Sequence, residues 1–560
     1  MRNTFISLAL FLCLIPYWAE SSHGISLYHP LRYKEKAFSH FSYVNPQAPK
    51  GGHVRVGFVG AFQTGSPYDM VASTPFITHL TSCKLLSRSL DEPLAMYGQL
   101  ATDVDFQPTQ RTLTFTLTPD AKWHSGEPIT APSLKNLFVH LKKTAMHPQL
   151  QLILKQIAQI ETPNDQTLIL TLTEGAIPLQ QIPFMIGGLP LIKPDTPLQQ
   201  AHCGPYQFSV PPQPYEVTLK KRPQFWGNDL PVNKGRFNFD QITLKWYRTP
   251  LVLMEAFKKG EVDFVSLTDP ELRQSLKTDH SFPYTFSAFK HERPIGMEAF
   301  VFNTRHPFFH DEKTRLALAL LFDFDWYNKH YYHDQYHRIE SYFENTVFQN
   351  KKTLPSYLLT GSKRDRFNSA KKLLAEAGWV LKNGRLYSPS LKQYFDITLL
   401  LPHFHYMKVA QGWAKELEKL GITLHIKRLE SGLFEKHKHH LDFDIILHKW
   451  PLGHTPGHEI MHYFSSDTAL LKGTQNIAGV HHNAIDQAIK KALSETQTCG
   501  REAAFQSLDA LLMQACYGVP LFYMPKDLIA HRTNLAYPEN STFSPSIVVW
   551  WNKDAQATGE

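Results

Sequence analysis

The run from Tyr394 to Tyr463 limits the fold more than any other stretch of the chain. It opens with eight residues of strand length, Tyr394 to Leu401, that are apolar apart from Asp396 and Thr398. Tyr406, Val409, Ala410, Trp413, Leu417 and Leu420 then recur at steps of three and four. That spacing puts all six on one helical face, and Gly421 stands where a helix needs a left-handed stop. Ile422, Leu424 and Ile426 alternate with Thr423, His425 and Lys427, the period of a strand. A short basic helix over Ser431–His437 and a strand over Asp442–Trp450 complete a β-α-β-α-β run. Such a run predicts a parallel sheet with right-handed crossovers. Ligands on open sheets of this kind sit beyond the carboxyl ends of the strands. The loop from Trp450 through His454, His458, Glu459 and His462 to Phe464 is therefore expected to form one wall of a ligand cleft.

At 560 residues the chain is long enough for two or more packed domains. Residues 1–24 read as a signal peptide: Arg2 is the positive start, and Ile6 to Trp18 is an apolar core too short to span a bilayer. Ala19-Glu20-Ser21 and Ser22-His23-Gly24 both offer small residues before a cut, and cleavage is expected just before Ile25. Leu12 precedes Cys13, which argues against a lipoprotein. The mature protein is expected in the periplasm. Its cysteines, Cys83, Cys203, Cys499 and Cys516, would meet an oxidising compartment, and four cysteines allow three pairings. The absence of a C-x-x-C pair disfavours thiol redox chemistry and zinc-thiolate sites. The net charge of +8 is scattered, with no cationic tract or motif for nucleic acid.

The first half of the chain reads as a mixed lobe. Val54, Val56 and Phe58 alternate after the Lys50-Gly51-Gly52 turn, and Leu113, Phe115 and Leu117 alternate with threonines. Leu134, Leu137, Phe138 and Leu141 have helical spacing. In the second half, helices are expected over Asp311–Phe322, Ser369–Ala377 and Arg501–Cys516, with a hairpin turn at Asn383-Gly384. Val519 to Tyr523 is short, extended and apolar, as a strand returning to the first lobe would be.

The stretches Thr112–Leu117 and Ala121–Ala131 resemble the signature of the family 5 extracellular solute-binding proteins, the oligopeptide, dipeptide and nickel receptors of ABC importers. Cys203–Tyr206, Arg222–Gly227 and Leu253–Phe264 resemble further elements of that family. His40–Gly52, Ala299–Phe308 and Tyr342–Thr346 resemble its Yej-type, peptide-binding branch. The family's usual acidic residue after Ala131 is replaced by Pro132-Ser133.

The resemblance implies an α/β, two-lobed periplasmic-binding-protein type II fold of the large peptide-receptor class. That fold has three parts, a discontinuous first lobe and a hinged cleft. The first lobe is expected at 25–66, continued at 201–288 and 520–560, with a subdomain at 67–200. The second lobe is expected at 289–519, and the hinge crossings near Ser287–Pro294 and Tyr517–Tyr523. The implied function is capture of oligopeptides, murein peptides or peptide antibiotics for an inner-membrane ABC permease. The implied receptor is monomeric, has no cofactor and no catalytic residues, and binds no nucleic acid.

A free peptide brings an ammonium and a carboxylate, and burying either requires an opposite charge or a full set of hydrogen bonds. The wider family places an aspartate after the last strand of this region. Here Pro451 to His454 stands in its place, so Glu459 is the candidate ammonium anchor, set against a plain helix-cap role. Trp450 is a candidate apolar wall, weighed against a structural role. Asn476 resembles a position that bonds peptide backbone. His458 replaces an asparagine usual in that loop, and Phe62, Gln63, Phe302, Asn303 and Tyr523 are candidate cleft-edge residues.

Two alternatives remain. The histidines, including the Lys436–His440 cluster, suggest a nickel or metal-chelate receptor. His458-Glu459-Ile460-Met461-His462 matches the zinc-peptidase pattern, with His454 as a third histidine at the same spacing. With 29 histidines in the chain, such a match also arises by chance.

Overall fold

The structure is a computed structural model. It describes residues 22–555 apart from 28–29, 35–37, 63–65, 69–74, 146, 175–178, 268–275, 277–282, 353–354, 359–360, 472, 496 and 540–545. The apolar core of the expected signal peptide, Ile6 to Trp18, therefore lies outside the described residues. No helix among the described residues is long and apolar enough to cross a membrane. The chain divides into two compact units: residues 1–291 with 526–560, and residues 292–525.

The first unit is built on a seven-stranded sheet. Its order is Thr285–Lys290, Lys526–His531, Phe264–Ser266, His53–Val59, Gln241–Tyr247, Glu216–Lys221 and Tyr206–Phe208. His53–Val59 pairs in parallel with both of its neighbours, and the other pairings are antiparallel. Val54 and Val56 are buried, as their alternation requires, and Trp550 is wholly enclosed in the same core.

A second core in this unit gathers Ile25 and residues between Cys83 and Cys203. There a four-stranded antiparallel sheet, with Thr112–Leu117 and Thr167–Leu172 at its centre, carries the helix Ala131–Thr144. Leu134, Leu137, Phe138 and Leu141 are its buried face, and Trp123 fills the core beside it. The cap is Thr130, which exchanges hydrogen bonds with Ser133. Ser133 thus completes the start of the helix where the family pattern has an acid. Ile77, Leu80, Ala95 and Tyr97 pack into the seven-stranded core, so the two cores interleave along the chain and do not part at residue 67.

One disulfide among the described residues joins Cys83 to Cys203, with Cα atoms 5.2 Å apart. Both cysteines are fully buried. Cys516 is also buried, in the second unit, and Cys499 is exposed.

Residues 22–26, at the end of the expected signal peptide, belong to the sheet structure. Ser22 bridges Val104, the Gly98 N–H donates to the His23 carbonyl at 2.8 Å, and Gly24–Ser26 pairs with Ala95–Gly98. Cleavage before Ile25 would remove three residues that make these bonds. The site after Ala19-Glu20-Ser21 keeps them, so sequencing of the exported protein is expected to begin at Ser22. An N-terminus at Ile25 would contradict this.

The second unit contains the run from Tyr394. Its five-stranded sheet has the order Thr423–Arg428, Asp396–Leu401, Ile445–Trp450, Met297–Phe302 and Gly518–Pro520. The first three strands are parallel, and the last two are antiparallel to their neighbours. The helix Met407–Glu418 buries Val409, Ala410, Trp413 and Leu417, Tyr406 and Leu420 are buried just before and just after it, and Gly421 has φ +79°. Asn383 and Gly384, both at positive φ, turn the hairpin. The remaining helices run over Glu312–Leu320, Lys363–Glu376 and Thr498–Gln514.

The chain passes between the units after His291 and after Pro525. Residues 520–525, expected in the first lobe, lie in the second unit. Gly518–Pro520 pairs there with Met297–Phe302, and Phe522–Tyr523 pairs with His337–Arg338, so two ladders hold the segment.

Candidate ligand-binding site

The loop after Ile445–Trp450 leaves the carboxyl end of a parallel strand. Its first residue is a packed anchor. Trp450 is 2% exposed, and its indole N–H donates to the Gln475 carbonyl at 3.2 Å. Tyr342, Phe464 and His448 surround the ring, with centroids 4.9–5.7 Å away. Gly296, at φ +70°, lets the neighbouring chain pass: a Cβ there would lie 2.2 Å from the Trp450 carbonyl oxygen. The expectation of a ligand-facing indole is corrected accordingly, because the ring is enclosed by its own unit.

The following helix is Glu459–Phe464, only six residues long. His458 precedes it, Glu459 is half-buried and His462 is exposed. The Gly457 N–H donates to the Glu459 carboxylate at 2.9 Å. Burial pushes this carboxyl above its ordinary range, against the pull of the Gly457 hydrogen bond and of the nearby Arg501 charge. Arg501, which sequence reasoning missed, donates to the Pro456 carbonyl at 2.9 Å from the helix Thr498–Gln514 and fixes the entry to this turn. Nothing in the local sequence links Arg501 to a loop 45 residues earlier.

The zinc-peptidase pattern loses its premise here. The helix begins at Glu459, so His454 and His458 lie before it, and the His458 and His462 rings are 6.4 Å apart. Among the described residues no three His, Cys, Asp or Glu side chains converge to hold a metal ion. In the cluster at 436–440, on the helix Ser431–His440, His437 pairs with Asp442 at 3.0 Å.

Asn476 is wholly buried. Its amide donates to the Ser465 and Val480 carbonyls, both at 3.0 Å, and accepts from the Val480 N–H at 2.7 Å. Its side chain is fully committed to its own loop, a correction to the ligand-bonding expectation. Asn303 is similar: it donates to the Leu441 and Phe443 carbonyls and accepts from Arg305. Phe302, wholly buried, stacks on Phe309. Both are corrected from cleft edge to internal brace.

Arg305 is the hub that sequence reasoning passed over. Its guanidinium bonds the carbonyls of Ala469, Asn476 and Ile477 and so fastens the 469–477 loop to the sheet.

Tyr523 is half-buried. Its hydroxyl reaches Asn345 at 3.4 Å, and burial pushes it up to about 12. In the first unit Phe62 is half-buried against Trp246, and Gln63 lies outside the described residues. A cavity of about 570 Å³ in the second unit is lined by Asn303, His306, Thr398, Lys427, His437 and Asp444. It reaches Asp444 at the amino end of its strand, whereas the Trp450 loop leaves the carboxyl end of that strand.

Residues 95–470, more than half of the chain, match the family model of bacterial extracellular solute-binding proteins, family 5, and the chain belongs to that family. It is of the Yej type within it. A binding protein of Brucella suis is 28% identical, with 92% of this chain and 91% of that protein covered. Two proteins of Agrobacterium fabrum are also 28% identical. One is the peptidoglycan-binding protein YepA, with 96% of each chain covered. The other, YejA, is described as a peptide-binding protein, with 96% and 95% covered.

Two solved structures share the fold. The oligopeptide-binding protein AppA of Bacillus subtilis, in complex with a nonapeptide, has a TM-score of 0.67 at 18% identity, covering 90% of this chain and 99% of AppA. NikA of Brucella suis, in complex with Fe(III)-EDTA, has a TM-score of 0.71 at 17% identity, covering 89% and 99%. The fold is thus the two-lobed type II fold of periplasmic binding proteins. The family is one of substrate-binding receptors for ABC importers.

Proposed function

We propose that this chain is the exported receptor of an ABC importer for oligopeptides, murein peptides and peptide antibiotics among them, and that Glu459 anchors the cargo's ammonium group. The carrying observation is the Glu459 carboxyl: half-buried, in the loop beyond the carboxyl end of the strand Ile445–Trp450, and raised by burial. A buried carboxylate that accepts one backbone N–H still has acceptor capacity for a cation. The Agrobacterium relatives described as peptide- and peptidoglycan-binding support this cargo class. Release to an inner-membrane permease follows from the family's role. The metal-chelate reading has only the shared fold behind it, since NikA is 17% identical.

Calorimetry with a defined peptide mixture, beside Zn²⁺ and Ni²⁺ alone, tests the proposal. Peptide binding without cleavage is expected, and metal-dependent hydrolysis would overturn it. Glu459→Ala is expected to lower peptide affinity by about 2–5 kcal/mol, the scale for breaking a buried charge pair. Affinity should also fall as the pH is lowered through the Glu459 titration, because the neutral acid cannot pair with an ammonium. Unchanged affinity in the variant would remove Glu459 from the site.

A further inference from the structure

In the second unit the helix Met407–Glu418 turns a polar face away from the core. Lys408, Gln411, Gly412 and Lys415 recur at steps of three, one and three, opposite the buried Val409, Ala410, Trp413 and Leu417. This face forms one side of a cavity of about 300 Å³, at the small end of the range for ligand pockets. The helix Phe324–Tyr332 forms the other side and supplies Trp326, Tyr327 and Tyr331. Asp323, Lys363 and Glu416 complete the lining. The two walls meet at Gly412, where a Cβ would lie 2.6 Å from the Tyr327 ring. The Glu459 loop contributes no residue to this cavity.

The acids of the cavity are already neutralised. Glu416 pairs with Lys363 and Lys419, both at 2.9 Å, and Asp323 pairs with Arg366 at 2.8 Å. The Gln411 and Lys415 side chains make no hydrogen bond or ion pair among the described residues. Tyr327 is 2% exposed, yet its hydroxyl also has no hydrogen-bond partner among the described residues, and its oxygen is not sealed from solvent. Trp326 and Tyr331 are 43% and 37% exposed and meet edge to face at 5.4 Å. His330 stacks on one face of Trp326 at 4.4 Å and holds the indole in place. Residues 351–428, which carry the lysine wall, hold fifteen lysines and arginines against five aspartates and glutamates, so the surroundings attract an anion.

A buried phenol without an acceptor, an unpaired ammonium and exposed aromatic rings each lack a partner that a single ligand supplies. We infer that this cavity binds an acidic saccharide, a sugar ring that bears a carboxylate. The C–H groups of the ring pack on the exposed aromatic surface of Trp326 and Tyr331. The carboxylate pairs with Lys415. The sugar hydroxyls, each both donor and acceptor, match the Gln411 amide and the Tyr327 hydroxyl. Burial, followed by the Asp323 and Glu416 charges, raises the Tyr327 hydroxyl and keeps it protonated as a donor. A bare oxyanion would leave the rings uncovered, and a neutral sugar would leave Lys415 unpaired.

The test uses the mature full chain without peptide, and ligand-observed saturation-transfer NMR with D-glucuronate, D-glucose and acetate as probes. We expect saturable binding of glucuronate, with glucose and acetate about tenfold weaker or more, the scale of one lost hydrogen bond to a charged group. Lys415→Gln should bring glucuronate down to the level of glucose. Trp326→Ala should abolish binding of both sugars. Tyr327→Phe keeps the ring against Gly412 and should weaken both sugars about fivefold, the scale of one neutral hydrogen bond. Lys415 and Trp326 are exposed, so those two variants should keep the wild-type thermal midpoint. No saturable binding of glucuronate, or the same affinity in all three variants, overturns the site. Acetate bound as tightly as glucuronate, and still bound in Trp326→Ala, overturns the saccharide assignment. With no peptide present, failure here is separate from failure of the receptor proposal.

Discussion

Replacing Asp509 by alanine is expected to destabilise the second unit by about 3–5 kcal/mol, the scale for leaving three buried donors without their acceptor. Asp509 is wholly buried on the helix Thr498–Gln514. It accepts from the Ser341 hydroxyl at 2.6 Å and from the Tyr342 and Asn350 N–H groups, both at 2.9 Å. Alanine would leave these donors without their acceptor, at about 1–3 kcal/mol for each buried group. The segment they hold is central to the unit. Phe343 and Phe348 pack on Phe505, and Tyr342 packs on Trp450 and Phe464. Chemical denaturation, read by the midpoint at unchanged slope, measures the effect. A loss under 1 kcal/mol would mean that the three donors find other partners.

The same residue has a pH signature. Burial pushes the Asp509 carboxyl up to about 6, against its hydrogen bonds. The folded state therefore holds this proton more tightly than the unfolded state. Its contribution to stability is greatest below the ordinary carboxylate range, falls as the pH rises through that range to about 6, and is flat above. The span corresponds to about 3 kcal/mol. Glu344, raised by burial to about 7, acts with the same sign. Buried His448, held down to about 3, acts with the opposite sign below its ordinary range. The wild-type minus Asp509→Ala difference between pH 4.5 and 7 isolates the Asp509 part.

Removing the Cys83–Cys203 bridge is expected to cost about 2–5 kcal/mol, with the loss confined to the first unit. The bridge closes a sequence separation of 120 residues, and a loop of that order carries about 4–5 kcal/mol of chain entropy. Both sulfurs sit in the core that holds Trp123, Phe115 and Phe138. Cys83→Ser with Cys203→Ser should lower the thermal midpoint and raise amide exchange in that core, while exchange in the second unit stays unchanged. Equal protection in oxidised and reduced protein would show that the core stands without the bridge. Cys516 should not substitute, because burial pushes its thiol up to about 12 and keeps it protonated and unreactive.

Much of the second unit was legible because its signals are local. Six apolar residues at helical spacing, a glycine stop and an alternating strand each depend on neighbours within a turn or two, and all six are buried, four on the helix Met407–Glu418 and two at its ends. The cysteine pairing was not legible, since all three two-bridge schemes suited the spacing while the structure holds one bridge. The ends of elements shifted where capping decided them, as at Ser362, which caps Lys363–Glu376 and starts that helix six residues before the expected Ser369. The candidate site was the least legible. Trp450, Asn476, Phe302 and Asn303 stand where a ligand contact was expected, yet their side chains pack or bond within their own unit.

By itself, the sequence determined the parallel direction of the strands at Asp396, Thr423 and Ile445, the family signature and the separation into two lobes. Hydrophobic period and turn chemistry act over short range and survive without knowledge of contacts. Only the tertiary structure decided that Arg305 and Arg501 clasp distant carbonyls and that Asp509 gathers three donors. Those outcomes depend on which polar atoms meet across tens to hundreds of residues, and a linear pattern carries no record of that meeting.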